Sequence, residues 1–227
     1  ALEGYSLKRV GERRDHGGSG GRTYMAWLKS LGLTFTQNST GLLKLTLAGE
    51  AILAGEPPVE ILKHQVLKYQ FPSAFSTSRN INVNPRFKIR PFRFLLRLLN
   101  DPQIGYLTQE EIAKVIIVNA ENESEGCYQE VVKRLTDFRT YGDASLDSDF
   151  FIKYAPSRGK IKLDKPFNYL NDIANTLINW IEYTQLAIRE DSKLVLLDEK
   201  VNEVNTILGV VLPFIERHDQ DEFFQCT

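Results

Sequence analysis

A mainly α fold with short β-hairpins, arranged as two winged helix-turn-helix-like subdomains joined by a helical, basic linker, is predicted by three observations. Two polar turn segments, residues 37–41 and 190–192, each separate short β-rich runs. A helix-period stretch precedes each of these hairpins and a short helical stretch follows it. The 227 residues are 42% hydrophobic and 25% charged, which permits a sizeable core and excludes disorder.

The first subdomain is assigned to residues 1–58. Residues 1–22 are polar and basic, end in the tract Gly17-Gly18-Ser19-Gly20-Gly21, and read as loop. From Thr23, the expected N-cap, Tyr24, Trp27, Leu28 and Leu31 fall at helical spacing, with Gly32 as the stop. Residues 33–36 and 42–47 form the first hairpin around Gln37-Asn38-Ser39-Thr40-Gly41, and residues 48–53 read as a short helix. The helix before such a wing is the recognition helix of a winged helix-turn-helix unit. Some 58 residues make a marginal core, and little chain precedes Thr23, so this subdomain is expected to be truncated or docked.

Residues 59–90 read as a linker. Ile61, Leu62, Val66 and Leu67 form one stripe of a helix that ends before Pro72, and a basic loop with Arg79, Arg86 and Lys88 follows. The second subdomain, residues 91–227, opens with Pro91 at a first helical position and the apolar face Phe94, Leu95, Leu98 and Leu99. Thr108 with Glu111 is a capping box starting a helix through residue 118, and residues 126–138 give another. An acidic loop (141–149) and a basic loop (153–165, with Arg158, Lys160 and Lys162) come next. Residues 167–183 are the longest periodic stretch: Leu170, Ala174, Leu177, Ile178 and Ile181 face inward and Asn168, Asn171, Asn175 and Asn179 lie elsewhere. A second hairpin around Glu190-Asp191-Ser192 and a helix over 199–208 complete the order.

Several chemistries are excluded or weak. No apolar run approaches the roughly 20 residues of a membrane span. Cys127 and Cys226 make neither a disulfide framework nor a zinc pattern, so a reducing, cytoplasmic setting is expected. The chain begins at Ala1 and reads as a piece of something longer. His16, His64 and His218 are isolated, and the glycine tract lacks the Lys-Ser/Thr of a P-loop. Asp191-Ser192-Lys193 and Asp198-Glu199-Lys200 carry the Asp-x-Lys spelling of a Mg²⁺ nuclease, but lie at a turn and a helix start, so no catalytic residue and no metal ligand is assigned.

Charge points elsewhere. Residues 1–97 hold 15 Lys and Arg against 6 Asp and Glu, whereas residues 98–227 hold 13 against 23. Such asymmetry fits a basic surface that tracks phosphates. Arg13, Arg14 and Arg22 bracket the first recognition helix, where guanidinium groups suit guanine O6/N7 or phosphate, and Asp15 suits cytosine N4. Thr23 and Tyr24 open that helix, Arg79, Lys88, Arg158, Lys160 and Lys162 supply positioning charge, and Asn168, Asn171 and Asn175 share a face suited to adenine.

The order of strings resembles the N-terminal recognition region of AlwI-like type IIS restriction endonucleases and their nicking relatives. The stretches that carry it are Arg14-Asp15 before Thr23-Tyr24, Gly41-Leu42-Leu43-Lys44-Leu45-Thr46-Leu47-Ala48-Gly49, and Leu67-Lys68-Tyr69-Gln70-Phe71-Pro72-Ser73. They continue through Ile81-Asn82-Val83-Asn84-Pro85, Leu107-Thr108, Phe138-Arg139, Asn168 with Asp172, and Tyr183-Thr184. The resemblance implies two winged-helix-like units on a short asymmetric duplex site, bound as a monomer, with Mg²⁺-dependent cleavage in a separate domain absent here. A winged-helix transcription regulator and a protein-interaction module are the alternative readings.

Overall fold

The computed structural model describes residues 19–73, 75–76, 83–154 and 168–215. It is mainly helical with two small antiparallel sheets. Helix α1 (Ser19–Ser30) leads into a hairpin of β1 (Thr34–Thr36) and β2 (Leu43–Leu45), then α2 (Leu47–Leu53) and α3 (Pro58–Lys68). Next come α4 (Pro91–Leu99), β3 (Tyr106–Thr108) and the composite helix α5, built from Gln109–Glu111, a wide π-turn over Ile112–Ile116, and Ile117–Asn119. Helix α6 (Glu125–Tyr141), the short α7 (Phe150–Lys153), α8 (Asn168–Tyr183), the hairpin β4 (Ala187–Glu190) and β5 (Lys193–Leu196), and α9 (Val201–Gly209) complete it.

Gly32 ends α1 as the spacing predicts. At φ +66° it occupies the left-handed region, Leu33 N–H donates to Leu28 O at 2.9 Å and Gly32 N–H to Lys29 O at 3.1 Å. That is a Schellman ending, which a residue with a Cβ adopts only under strain. The start of α1 differs from expectation. Thr23 is not an N-cap, because the helix already runs from Ser19, and the last three residues of the glycine tract form its first turn. Glycine's helix penalty applies in full to interiors, where it loosens a bonded backbone, whereas the first-turn N–H groups have no intrahelical partner to lose.

The first hairpin is held by one threonine and one glycine. Thr46 caps α2, accepting from Gly49 N–H at 3.1 Å, while its own hydroxyl donates to Gly32 O at 2.6 Å. Gly49 lies so close to Leu33 that a Cβ there would meet its carbonyl oxygen at 2.2 Å. From α3, Gln65 Nε2 donates to the carbonyls of Leu31 and Gly32 at 3.0 and 3.2 Å.

Helix α4 is the centre of the core, with Phe92, Leu95, Leu96 and Leu98 at most 1% exposed. Val66 and Leu67 of α3, Val131 and Leu135 of α6, and Ala174 and Ile181 of α8 belong to the same cluster. Each such side chain contributes about 1.5–3 kcal/mol where it is a large aliphatic or Phe. The ring of Trp180 stacks on Phe92 at 5.8 Å.

The second hairpin gains a strand that the pattern did not announce. β3 pairs with β5, giving the order β3-β5-β4, with Leu107 opposite Leu194 and Ile188 opposite Val195. Asp191 and Ser192 make the turn with φ of +46° and +68°, a type I′ hairpin whose twist matches the strands.

Behind β3 stands Glu111, 3% exposed. The capping box is present: Thr108 N–H donates to Glu111 Oε2 at 2.6 Å and Glu111 N–H to Thr108 Oγ1 at 3.2 Å. The other carboxylate oxygen accepts from Arg139 Nε at 2.6 Å. Arg139 in turn donates to the carbonyls of Ile104 and Tyr106 at 3.0 and 2.6 Å, and lies 4.1 Å from the centroid of the Tyr106 ring. Both Glu111 oxygens thus face donors, and a neutral amide would set its NH₂ against one of them. Glu111→Gln is expected to cost about 3 kcal/mol, against about 1 kcal/mol for Thr108→Ala, which removes only the cap. Urea unfolding reads this as a lower midpoint at unchanged slope.

Candidate nucleic-acid interface

Helix α8 has two faces. Leu170, Ala174, Ile178 and Ile181 recur every three or four positions and are buried, which seats the helix on α3 and α5. On the other face Asn171, Asn175, Asn179 and Glu182 form one stripe by the same spacing. The stripe meets β4. Arg189 donates through Nε to Glu182 Oε2 at 2.9 Å, through Nη1 to Asn175 Oδ1 at 3.2 Å, and through Nη2 to Asn179 Oδ1. Its backbone N–H also donates to Glu182 Oε1 at 3.1 Å. The carbonyl of Asn171 accepts from Gln109 Nε2 at 3.1 Å, which fixes the start of α5 against the first turns of α8.

Arg189 did not stand out in the sequence. Its signal was present as Asn175, Asn179 and Glu182 on one helical stripe, followed by an arginine on the next strand. Of the residues singled out in α8, Asn168 lies at the helix start, Asn171 is half-buried, and Asn175 is half-buried with its amide oxygen engaged. Lys193, opposite Glu190 on the same hairpin, sits 4.2 Å from the centroid of the Tyr106 ring.

The first helix, α1, carries Arg22 and Thr23, and Tyr24, which is exposed and meets Trp27 edge-on at 5.5 Å. Lys29 donates to Thr36 Oγ1 at 2.6 Å and ties α1 to its hairpin. Arg13, Arg14, Asp15, Arg79, Arg158, Lys160 and Lys162 lie outside the described residues. Lys88 is exposed, and its backbone N–H donates to Glu121 O at 2.8 Å. The structure therefore joins Asn175 and Asn179 of α8 to the second hairpin.

Part of the charge asymmetry has an internal explanation. Basic residues of the first half pair with acids of the second: Lys63 with Glu203 at 3.0 Å, Arg86 with Glu121 at 3.3 Å, Arg90 with Glu123 at 2.7 Å, and Arg97 with Glu125. Arg93 donates to Val210 O at 2.6 Å. These cations hold the protein together and are not an open phosphate-binding strip. Among the described residues, no three His, Cys, Asp or Glu side chains gather in a metal-binding group, and no helix is long and apolar enough to cross a membrane.

No family model matches the chain, and no curated protein matches it either. A solved structure does. The chain is similar to the BpuJ1 endonuclease binding domain, determined in complex with pyrene- and phenanthrene-modified DNA, at a TM-score of 0.62 and 14% identity, over 99% of this chain and 81% of that one. The two share a fold. At that identity the common ground is the path of the backbone.

The Lys63–Glu203 pair makes a pH-dependent joint between α3 and α9. Burial pulls the Lys63 pKa down, but hydrogen bonds to Glu203 and Glu60 outweigh it and hold the ammonium above its usual value. Hydrogen bonds from Lys200 and then Lys63 hold the Glu203 carboxyl below its usual range. A depressed acid stabilises above its unfolded value, about 4.3, and loses this as pH falls; a raised amine stabilises below about 10.4 and loses this as pH rises. The stability gap between wild type and Lys63→Met is therefore expected to be widest from about pH 5 to 10 and to narrow on both sides. Unfolding midpoints across that range measure it.

Proposed function

We propose that this chain is the sequence-specific double-stranded DNA recognition domain of a type II restriction endonuclease, IIS-like and related to the AlwI-like enzymes. It binds a short asymmetric site as a monomer in the cytoplasm of a prokaryote. Cleavage belongs to a separate domain that uses Mg²⁺, and this chain contributes none of the catalytic residues. The observation that carries the reading is the fold shared with the BpuJ1 endonuclease binding domain over 99% of this chain. It is supported by a polar helix stripe set beside a hairpin at α8 and β4–β5, and by a second helix-hairpin pair at α1 and β1–β2. In this reading each pair is a winged-helix-like unit, with α8 and α1 as the recognition helices.

The roles divide by chemistry. Arg13, Arg14 and Asp15, with Arg22, Thr23 and Tyr24, read one end of the site, and Asn168, Asn171 and Asn175 read the other. Arg79, Lys88, Arg158, Lys160 and Lys162 contact phosphates, which position the protein without specifying sequence.

Site selection from a random duplex library, with titrations at several salt concentrations, tests the reading. The expected result is a short asymmetric site bound in the nanomolar to micromolar range, with the DNA intact after incubation with Mg²⁺. A palindromic site bound by a symmetric dimer would favour a winged-helix transcription regulator, and no salt-dependent affinity would overturn DNA recognition altogether. Arg14→Ala and Asn171→Ala are each expected to relax preference at one or two base pairs, at opposite ends of the site, by about 1–3 kcal/mol of discrimination. Replacing Lys160 and Lys162 by Ala should weaken all sequences alike and lower the salt slope by about one per lost phosphate contact.

A further inference from the structure

The contacts of Arg189 carry a consequence for which bases α8 can read. A guanidinium has only donors, so every amide that meets it must turn its oxygen inward. Asn175 and Asn179 both do so, and Glu182 balances the charge. What the two amides keep for another partner is their N–H₂ groups, which have no hydrogen-bond acceptor among the described residues. Reading adenine bidentately takes an amide oxygen for N6–H₂ and an amide N–H for N7. With each oxygen turned toward Arg189 and one of its lone pairs taken, that pairing is disfavoured. Guanine, with acceptors at N7 and O6, and thymine, with O4, present edges that N–H donors alone can satisfy.

We infer that Arg189 is a specificity-determining positioning residue: by holding the amide oxygens of Asn175 and Asn179, it presents them chiefly as donors, which favours guanine or thymine edges over adenine. The inference rests on the proposal that α8 is a recognition helix. It assigns Arg189 a role through the two asparagines and not as a phosphate contact, since its charge is already paired with Glu182 at 2.9 Å.

Site selection on wild type, Arg189→Met and Asn175→Asp tests it, with thermal melts reporting folding. Methionine keeps an apolar stem and removes every donor, freeing both oxygens. Arg189→Met is expected to shift preference toward adenine by about fivefold or more at one or two base pairs, with the salt slope unchanged. Asn175→Asp keeps an acceptor for Arg189 but has no N–H to offer, so it should lose guanine or thymine selection at one of those same base pairs, and it carries the test if the methionine variant fails to fold. Wild-type preference retained in the folded variants overturns the inference. So does uniform weakening of Arg189→Met on all sequences with a salt slope lower by about one, which would make Arg189 a phosphate contact. A selective wild type with unaltered variants removes this inference alone, whereas a wild type with no salt-dependent DNA affinity removes the recognition proposal and this inference together.

Discussion

The buried carboxylate of Glu111 is the constraint on which the arrangement of α8 and the second hairpin depends. One oxygen closes the cap of α5 and the other receives Arg139 from α6, which then binds the carbonyls of Ile104 and Tyr106. Three separate segments are thereby held around one charge. A buried ion pair adds little net stability, because desolvation offsets its attraction, but it tolerates few alternative geometries. From β3 the order passes by strand pairing to β5 and β4, and β4 carries Arg189 to the α8 stripe. The position of a surface arginine is thus set by a carboxylate deep beneath it.

Charge does two kinds of work in this molecule. Along α3, α4 and the segment before α4, the cations Lys63, Arg86, Arg90 and Arg97 join the basic half of the chain to the acidic half. Several of these pairs reach side chains that are substantially buried, where screening is weaker than at an open surface. The α8 stripe is different: its charges, Glu182 and Arg189, cancel, and amides make up the rest. A near-neutral polar stripe is poorly suited to gripping phosphates and well suited to discriminating hydrogen-bond patterns.

Much of the architecture was legible because it rests on local rules. The Gly32 stop, the Thr108–Glu111 box, the hairpin around Glu190-Asp191-Ser192 and the buried stripe of α8 each follow from residue types at short spacing, although Glu190 itself belongs to the strand. The start of α1 was misjudged, since a glycine tract looks like loop wherever only propensity is considered. β3 went unseen because three residues show no alternation and their partner strand lies far along the chain.

Sequence alone determined most of the helices, the two hairpins, the Gly32 stop, the Thr108–Glu111 box and the set of polar residues offered on α8, since periodicity and capping act within a few residues. It also showed the charge imbalance between the halves, but not its meaning: only the folded chain sets Lys63 against Glu203 and Arg90 against Glu123. The third strand, the place of Arg139 and the hold of Arg189 on Asn175 and Asn179 were likewise decided by tertiary structure. The physical reason is common to all of them. A hydrogen bond or ion pair between distant segments has no spacing in the sequence, because its partners meet only after the apolar core has brought their elements together.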